Sequence, residues 1–307
     1  MTSDRASLWL PLALSALSLA PAACGDDDGP APPPDPALDA SVALDAGDDA
    51  DVADEAVTIR FAARVGSANA ACGATFGGLG PDGSQAVTFN DFRFYVHALE
   101  LLRADGSSAA VTLDEESPWQ GEGVALLDFE DGSGACTSGT ALTRDVVRGR
   151  AAPGPYTGVR FTLGVPFALN HRDASRAGAP LNLTSLFWGW QGGYKFARID
   201  ATSGGASFLV HLGSTACNGS PTGGVTRCEF ENRPTITLDG FDPSSGVIVA
   251  DYAALVGTVD LQANSAGTAP GCMSTASDPE CRGVFTSIGL PFGTSPAAQD
   301  FFSVGSP

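Results

Sequence analysis

The chain has 307 residues, 35 of them acidic and 16 basic, for a formal net charge of −19. With no basic stripe, nucleic-acid binding is disfavoured. It also lacks a Gly-x-x-x-x-Gly-Lys-Ser/Thr loop, a Gly-x-Ser-x-Gly elbow and any Cys-x-x-Cys-His pair, which argues against P-loop, α/β-hydrolase and c-type haem chemistry.

Residues 1–24 read as a secretion signal: Arg5 in a weakly basic start, a short apolar run Leu8–Leu19, then Pro21-Ala22-Ala23-Cys24. The apolar run is too short to span a bilayer as a mature helix. Cys24 at the end of it resembles a lipobox and predicts acylation of its thiol, anchoring the protein to a membrane. Pro21 stands where leucine is usual, so cleavage near Ala23 without lipidation is the alternative. Residues 25–55 hold eleven acidic residues, no basic one and prolines at 30, 32, 33, 34 and 36. Such a stretch cannot bury apolar surface and reads as a disordered tether.

From residue 56 to 303 the pattern is that of one folded domain. Val57–Val65 alternates, with Ile59, Phe61, Ala63 and Val65 on one face. Val87–Leu102 reads as one or two strands with an aromatic face. Further strands are predicted at Ala110–Leu113, Val124–Phe129, Tyr156–Leu163, Tyr194–Asp200, Phe208–Leu212, Thr235–Leu238 and Val247–Ala250, separated by Gly/Pro/Asp turns. Two short helices are expected, one starting at Asp251 and one before Val284–Leu290, where Ser277 and Glu280 have capping-box spacing. The fold class is therefore mainly β: a single antiparallel β-sandwich or barrel-like domain with long loops and few short helices. Setting Cys24 aside, six cysteines remain, an even number that points to three disulfides in an exported chain. Many connectivities are open; local pairing favours Cys217–Cys228 and Cys272–Cys281, leaving Cys72 with Cys136.

The chemistry concentrates in Leu186–Phe196, LFWGWQGGYKF. It holds Trp188, Trp190 and the chain's one lysine, Lys195, and is bracketed by two of the three histidines, His171 and His211. An imidazole pair suits copper, zinc or nickel. The expectation is that His171, His211 and one of the two tryptophans converge on a metal, with Asn170 and Asp173 as partners that fix the His171 tautomer. Met273 is a soft thioether, but its place beside Cys272 is equally well explained by loop packing. His97, inside an apolar strand, is taken as structural. Unmodified indole is no simple metal ligand; oxidative opening to kynurenine supplies an amine and a carbonyl oxygen.

Several ordered stretches carry a resemblance. They are Phe92-Arg93-Phe94-Tyr95-Val96, Leu126-Leu127-Asp128-Phe129, Phe161 to Phe167 with Leu169-Asn170-His171, and Pro180 to Leu183. Phe187-Trp188-Gly189-Trp190-Gln191, Gly193 to Phe196 and His211 to Thr215 complete the set. Over residues 57–303 the chain resembles the MbnP-like copper-binding proteins, also called the metallo-mystery pair, four-Cys motif family. The resemblance implies a non-enzymatic copper protein, holding Cu(I) or Cu(II), in the periplasm or at the cell surface and serving copper acquisition or homeostasis. Its implied partner is a di-haem enzyme of the cytochrome c peroxidase/MauG type that oxidises a tryptophan to kynurenine. His171 and His211 match the implied histidine ligands, and Trp190 is preferred over Trp188 as the modified residue. Cys217, Cys228, Cys272 and Cys281 match the four-Cys pattern. The competing functions are a copper-dependent oxidoreductase and a non-metal structural surface lipoprotein.

Overall fold

The computed structural model describes residues 53–306. The signal segment with Cys24, and all of the tether except its last three residues, lie outside the described residues.

Two sheets face each other. The six-stranded sheet runs Phe302–Gly305, Val247–Asp251, Glu55–Val65, Val146–Ala151, Thr112–Leu113, with Ala68–Asn69 paired to Glu55–Val65. The nine-stranded sheet runs Ala206–Leu212, Ala197–Ser203, Gln85–Leu102, Gly158–Leu163, Thr235–Asp239, with four shorter strands off this path. The alternation in the first strand does what it predicts, burying Ile59, Phe61, Ala63 and Val65. Phe61 packs edge-on against Phe94 and Phe161 of the larger sheet, and Phe302 meets the same two rings. The apolar faces of both sheets thus share one core.

Two details differ from a purely antiparallel reading. Residues Arg60–Arg64 pair in parallel with Val247–Asp251, because long loops, not a hairpin, join those strands. The 87–102 region is one 18-residue strand beginning at Gln85. Ala98 adopts a positive φ of 50° within it, and the register against Gly158–Leu163 shifts at that point, as a β-bulge does.

Both short helices exist. Tyr252–Val256 is capped by the Asp251 carboxylate, which accepts from Ala253 N at 2.9 Å. Cys281–Ser287 forms without the expected capping box. Asp278 accepts from Met273 N and Glu280 N, while Glu280 is drawn to Ser265, so neither Ser277 nor Glu280 completes the box. The three disulfides are Cys72–Cys136, Cys217–Cys228 and Cys272–Cys281, the pairing that locality favours. His97 is a structural residue, its Nδ1 held 2.8 Å from the Gly164 carbonyl.

Candidate metal centre

The aromatic run folds into a small hairpin, Phe187–Gly189 against Gly193–Tyr194. Tyr194 roots it in the core: its ring meets Tyr95 at 6.0 Å and Phe187 at 4.9 Å, and its hydroxyl donates to the Leu181 carbonyl at 2.5 Å. With the base held, the two indoles project outward, Trp188 38% and Trp190 37% exposed. Gly193 makes the close approach to the neighbouring turn feasible. Its φ is +74°, and a Cβ there would lie 2.5 Å from both the backbone and side-chain oxygens of Asn170.

That neighbouring turn is Phe167–Asn170, a single helical turn begun at Pro166, with His171 at its C-terminal cap. Asn170 is fully buried. Its Oδ1 accepts from Tyr194 N at 2.9 Å, while Nδ2 reaches His171 Nε2 at 3.2 Å and Ser214 Oγ at 3.4 Å. His171 Nδ1 lies 3.0 Å from the Trp190 carbonyl. A carbonyl can only accept, so Nδ1 carries the proton and the Nε2 lone pair accepts from Asn170 Nδ2. Burial holds the His171 pKa below the ordinary imidazole value, with Arg233 adding to the effect against the Trp190 hydrogen bond. The ring is thus neutral, the form that binds metal. Nε2 is 3.5 Å from Cys228 Sγ. Cys217 and Cys228 are bonded to each other, so this His–Cys–Cys grouping offers no thiolates.

Asp173 does not take the part expected of it. Its Oδ1 accepts from Ser175 N and Oγ at 3.0 and 2.7 Å, bonds that hold its pKa low. A carboxylate two residues past the cap is captured by the local turn before it can reach back to the ring. The Trp190 carbonyl fixes the His171 tautomer instead.

His211 comes from the Ala206–Leu212 strand and is buried. Its Nε2 is 2.7 Å from Asp200 Oδ1 on the adjacent strand. Burial alone would raise the Asp200 pKa, but His211 and Arg198 together hold it below the ordinary value, so the carboxylate is ionised and Nε2 donates. Nδ1 has no hydrogen-bond partner among the described residues and is the free donor of this ring. Trp188 lies beside it, ring centroids 6.4 Å apart. The Trp188 indole covers Gly213, where a Cβ would come within 2.4 Å of its Cζ3.

One cleft of about 540 Å³ is lined by Trp188, Gln191, Gly192, Ser214, Thr215, Ala216, Cys217 and Met273. Trp188 is the ring neighbour of His211 and Cys217 is disulfide-bonded to the sulfur neighbour of His171, so both histidines stand next to residues that line it. No hydrogen bond or ring contact among the described residues joins the two imidazoles directly. Trp190 contributes its carbonyl; its indole makes no aromatic or cation–π contact among the described residues. Each imidazole is anchored at one nitrogen and keeps a lone pair on the other, unpartnered among the described residues in His211 and met by Asn170 Nδ2 in His171, a donor set that fits a soft or borderline metal such as copper. Asp200, Arg198 and Asp91, which organise the His211 side, escape a reading based on histidines and tryptophans alone.

Gly213→Ala is expected to push Trp188 out of the cleft and to destabilise the fold by about 1–3 kcal/mol, the range for overpacking. Indole fluorescence and denaturant unfolding check it; an unchanged emission spectrum with unchanged stability would show that Trp188 does not rest on Gly213.

The MbnP family model matches residues 54–274. Among solved structures, the MbnP from Methylosinus trichosporium superposes with a TM-score of 0.73 at 32% identity, covering 83% of this chain and 99% of that one. No curated protein matches the chain.

Proposed function

The chain belongs to the MbnP family, and from that premise we propose that it is an exported copper-binding protein whose site is built from His171, His211 and a modified Trp188. The observation that carries this reading is the position of the Trp188 ring. It stands 6.4 Å from His211 and lines the cleft that also receives Met273, whereas Trp190 reaches His171 only through its backbone. We therefore propose Trp188 as the modified residue, where the resemblance favours Trp190.

Bound copper would supply a soft, redox-active cation to this site, and His171 and His211 would hold it through their unprotonated ring nitrogens, with Asn170 Nδ2 giving up its contact to His171 Nε2. Oxidative cleavage of the Trp188 C2–C3 bond would add two oxygen atoms to give an N-formyl ketone, and hydrolysis of the formyl group by water, releasing C2 as formate, would leave an aryl amine and a ketone. The oxidant has to come from outside the chain, from a di-haem partner of the cytochrome c peroxidase/MauG type consuming peroxide. Trp188 is exposed enough to be reached by such a partner. Three disulfides accord with an oxidising compartment, the periplasm or cell surface, with Cys24 as the lipid anchor. The role is copper acquisition or homeostasis, without turnover by this chain.

Metal analysis and intact mass of protein made with and without the partner test this. Wild-type protein is expected to carry one kynurenine, located at Trp188 by peptide mapping, and to retain copper. His171→Ala with His211→Ala is expected to lose the metal. Retained copper in the double variant, at the wild-type ratio, would remove both histidines from the site.

A further inference from the structure

We infer that Asp200, clamped by Arg198, is the positioning residue that turns His211 so that its Nδ1 is presented to copper; the inference rests on the copper reading above. Its basis is a row of side chains across four strands of the larger sheet. Asp128 pairs with Arg93, Arg93 with Arg198, and Arg198 with His211 in successive cross-strand registers. Asp91 and Asp200 oppose each other two residues along. Period two puts all six on one face, opposite the face whose Phe92 and Phe94 enter the core.

Within this row both Asp200 oxygens are committed. Oδ1 accepts from His211 Nε2 at 2.7 Å and Oδ2 accepts from Arg198 Nε at 2.7 Å. Arg198 Nε is also 3.2 Å from Asp91 Oδ2, and Asp91 is in turn held by Arg93 and by Ser138 Oγ at 2.9 Å. Asp200, Asp91 and Arg93 are each at most 4% exposed. Buried ion pairs of this kind are a poor source of stability, because desolvation offsets most of the attraction. What the arrangement does supply is geometry. A carboxylate with no remaining freedom, bonded to the outer nitrogen of an imidazole, sets both the tautomer and the ring orientation of a metal ligand.

Asparagine at position 200 tests this sharply. His211 Nε2 and Arg198 Nε both donate, and an amide has only one acceptor oxygen to offer them. If the amide oxygen turns to Arg198, its NH₂ faces the imidazole, and His211 protonates Nδ1, closing the nitrogen that copper needs. Asp200→Asn is therefore expected to lower Cu(I) affinity about 10–100-fold, with Asp200→Glu recovering part of the loss.

The experiment uses the full chain with ¹⁵N-labelled histidine, with the His211 signals identified by their loss in His211→Gln. In metal-free wild-type protein, Nε2 of His211 is expected to carry the proton; addition of Cu(I) is expected to shift Nδ1. In Asp200→Asn the proton is expected to move to Nδ1. A wild-type protein with Nδ1 protonated, or a copper-induced shift at Nε2, overturns the inference without Asp200→Asn having to fold. Wild-type Cu(I) affinity in a folded Asp200→Asn overturns it as well. Copper binding that leaves both His211 nitrogens unmoved is a different failure: it removes His211 from the copper site itself.

Discussion

Replacing Cys72 and Cys136 together by alanine is expected to lower the unfolding free energy by about 4 kcal/mol, the chain-entropy cost of releasing a loop closed over a separation of 64 residues. The two shorter bridges, over separations of 11 and 9, are worth less on the same scale. The long bridge also ties two loops to the Phe89 segment of the larger sheet. Cys72 forms an isolated bridge with Phe89, and Cys136 Sγ lies 3.7 Å from the Phe89 carbonyl. The loops meet so closely that a Cβ on Gly134 would sit 2.8 Å from the Gly73 Cα. Ser138, two residues beyond Cys136, reaches Asp91 and Arg93 in the charged row. Opening the bridge should therefore lower Tm and also speed hydrogen exchange of amides around Asp91 and Arg93. Equal unfolding midpoints for the two proteins in guanidinium would show that the loop is held without the disulfide.

Raising the pH is expected to cost this protein stability through Asp128. Burial pushes its pKa up to about 7, against the opposing hydrogen bond from Glu130 N and the Arg93 charge. The folded-state value lies above the unfolded one, so the native protein binds this proton more tightly. The contribution is complete below the unfolded pKa and disappears as pH rises through about 7. Its size is on the order of 2–4 kcal/mol, taking 1.4 kcal/mol per pKa unit as the upper limit. Asp128→Asn keeps the oxygen that accepts from Glu130 N but never ionises. Between about pH 5 and pH 8 the wild type should lose ground to the variant by that amount. Asp200, whose pKa is depressed, acts with the opposite sign, but it is present in both proteins and drops out of the difference. Parallel stability–pH curves for the two proteins would sink the prediction.

Much of the fold is legible in local pattern. Alternation over Val57–Val65 names the buried face of the first strand correctly because side-chain direction in a strand is set by the backbone alone. The strand extends to Glu55 because an edge is decided by the partner strand: Glu55 pairs with Ala151. The failed capping box at Ser277 has the same origin. Its spacing is right, but Asp278 and Glu280 find partners at Met273 N and Ser265 that are close only in the folded chain.

The site was half legible. Scarce histidines on either side of an aromatic run point to His171 and His211 without any coordinates. Asp200 was within reach too. The strands 197–203 and 206–212 are joined by Gly204-Gly205, both at positive φ, and a two-residue glycine turn sets the register that places Arg198 opposite His211. The choice between Trp188 and Trp190 was not legible, since the two indoles are two residues apart in near-identical surroundings. Gly213, just past the end of the 206–212 strand, gives the Trp188 ring a surface to lie on.

By itself the amino-acid order determined most strands of the two large sheets and the residue types able to hold a metal, and it favoured the disulfide partners, because those depend on period, chain separation and side-chain chemistry. Only the tertiary structure decided which nitrogen of each imidazole carries the proton and which indole faces His211. Those choices rest on a carbonyl, a carboxylate and a missing Cβ brought in from elsewhere in the chain.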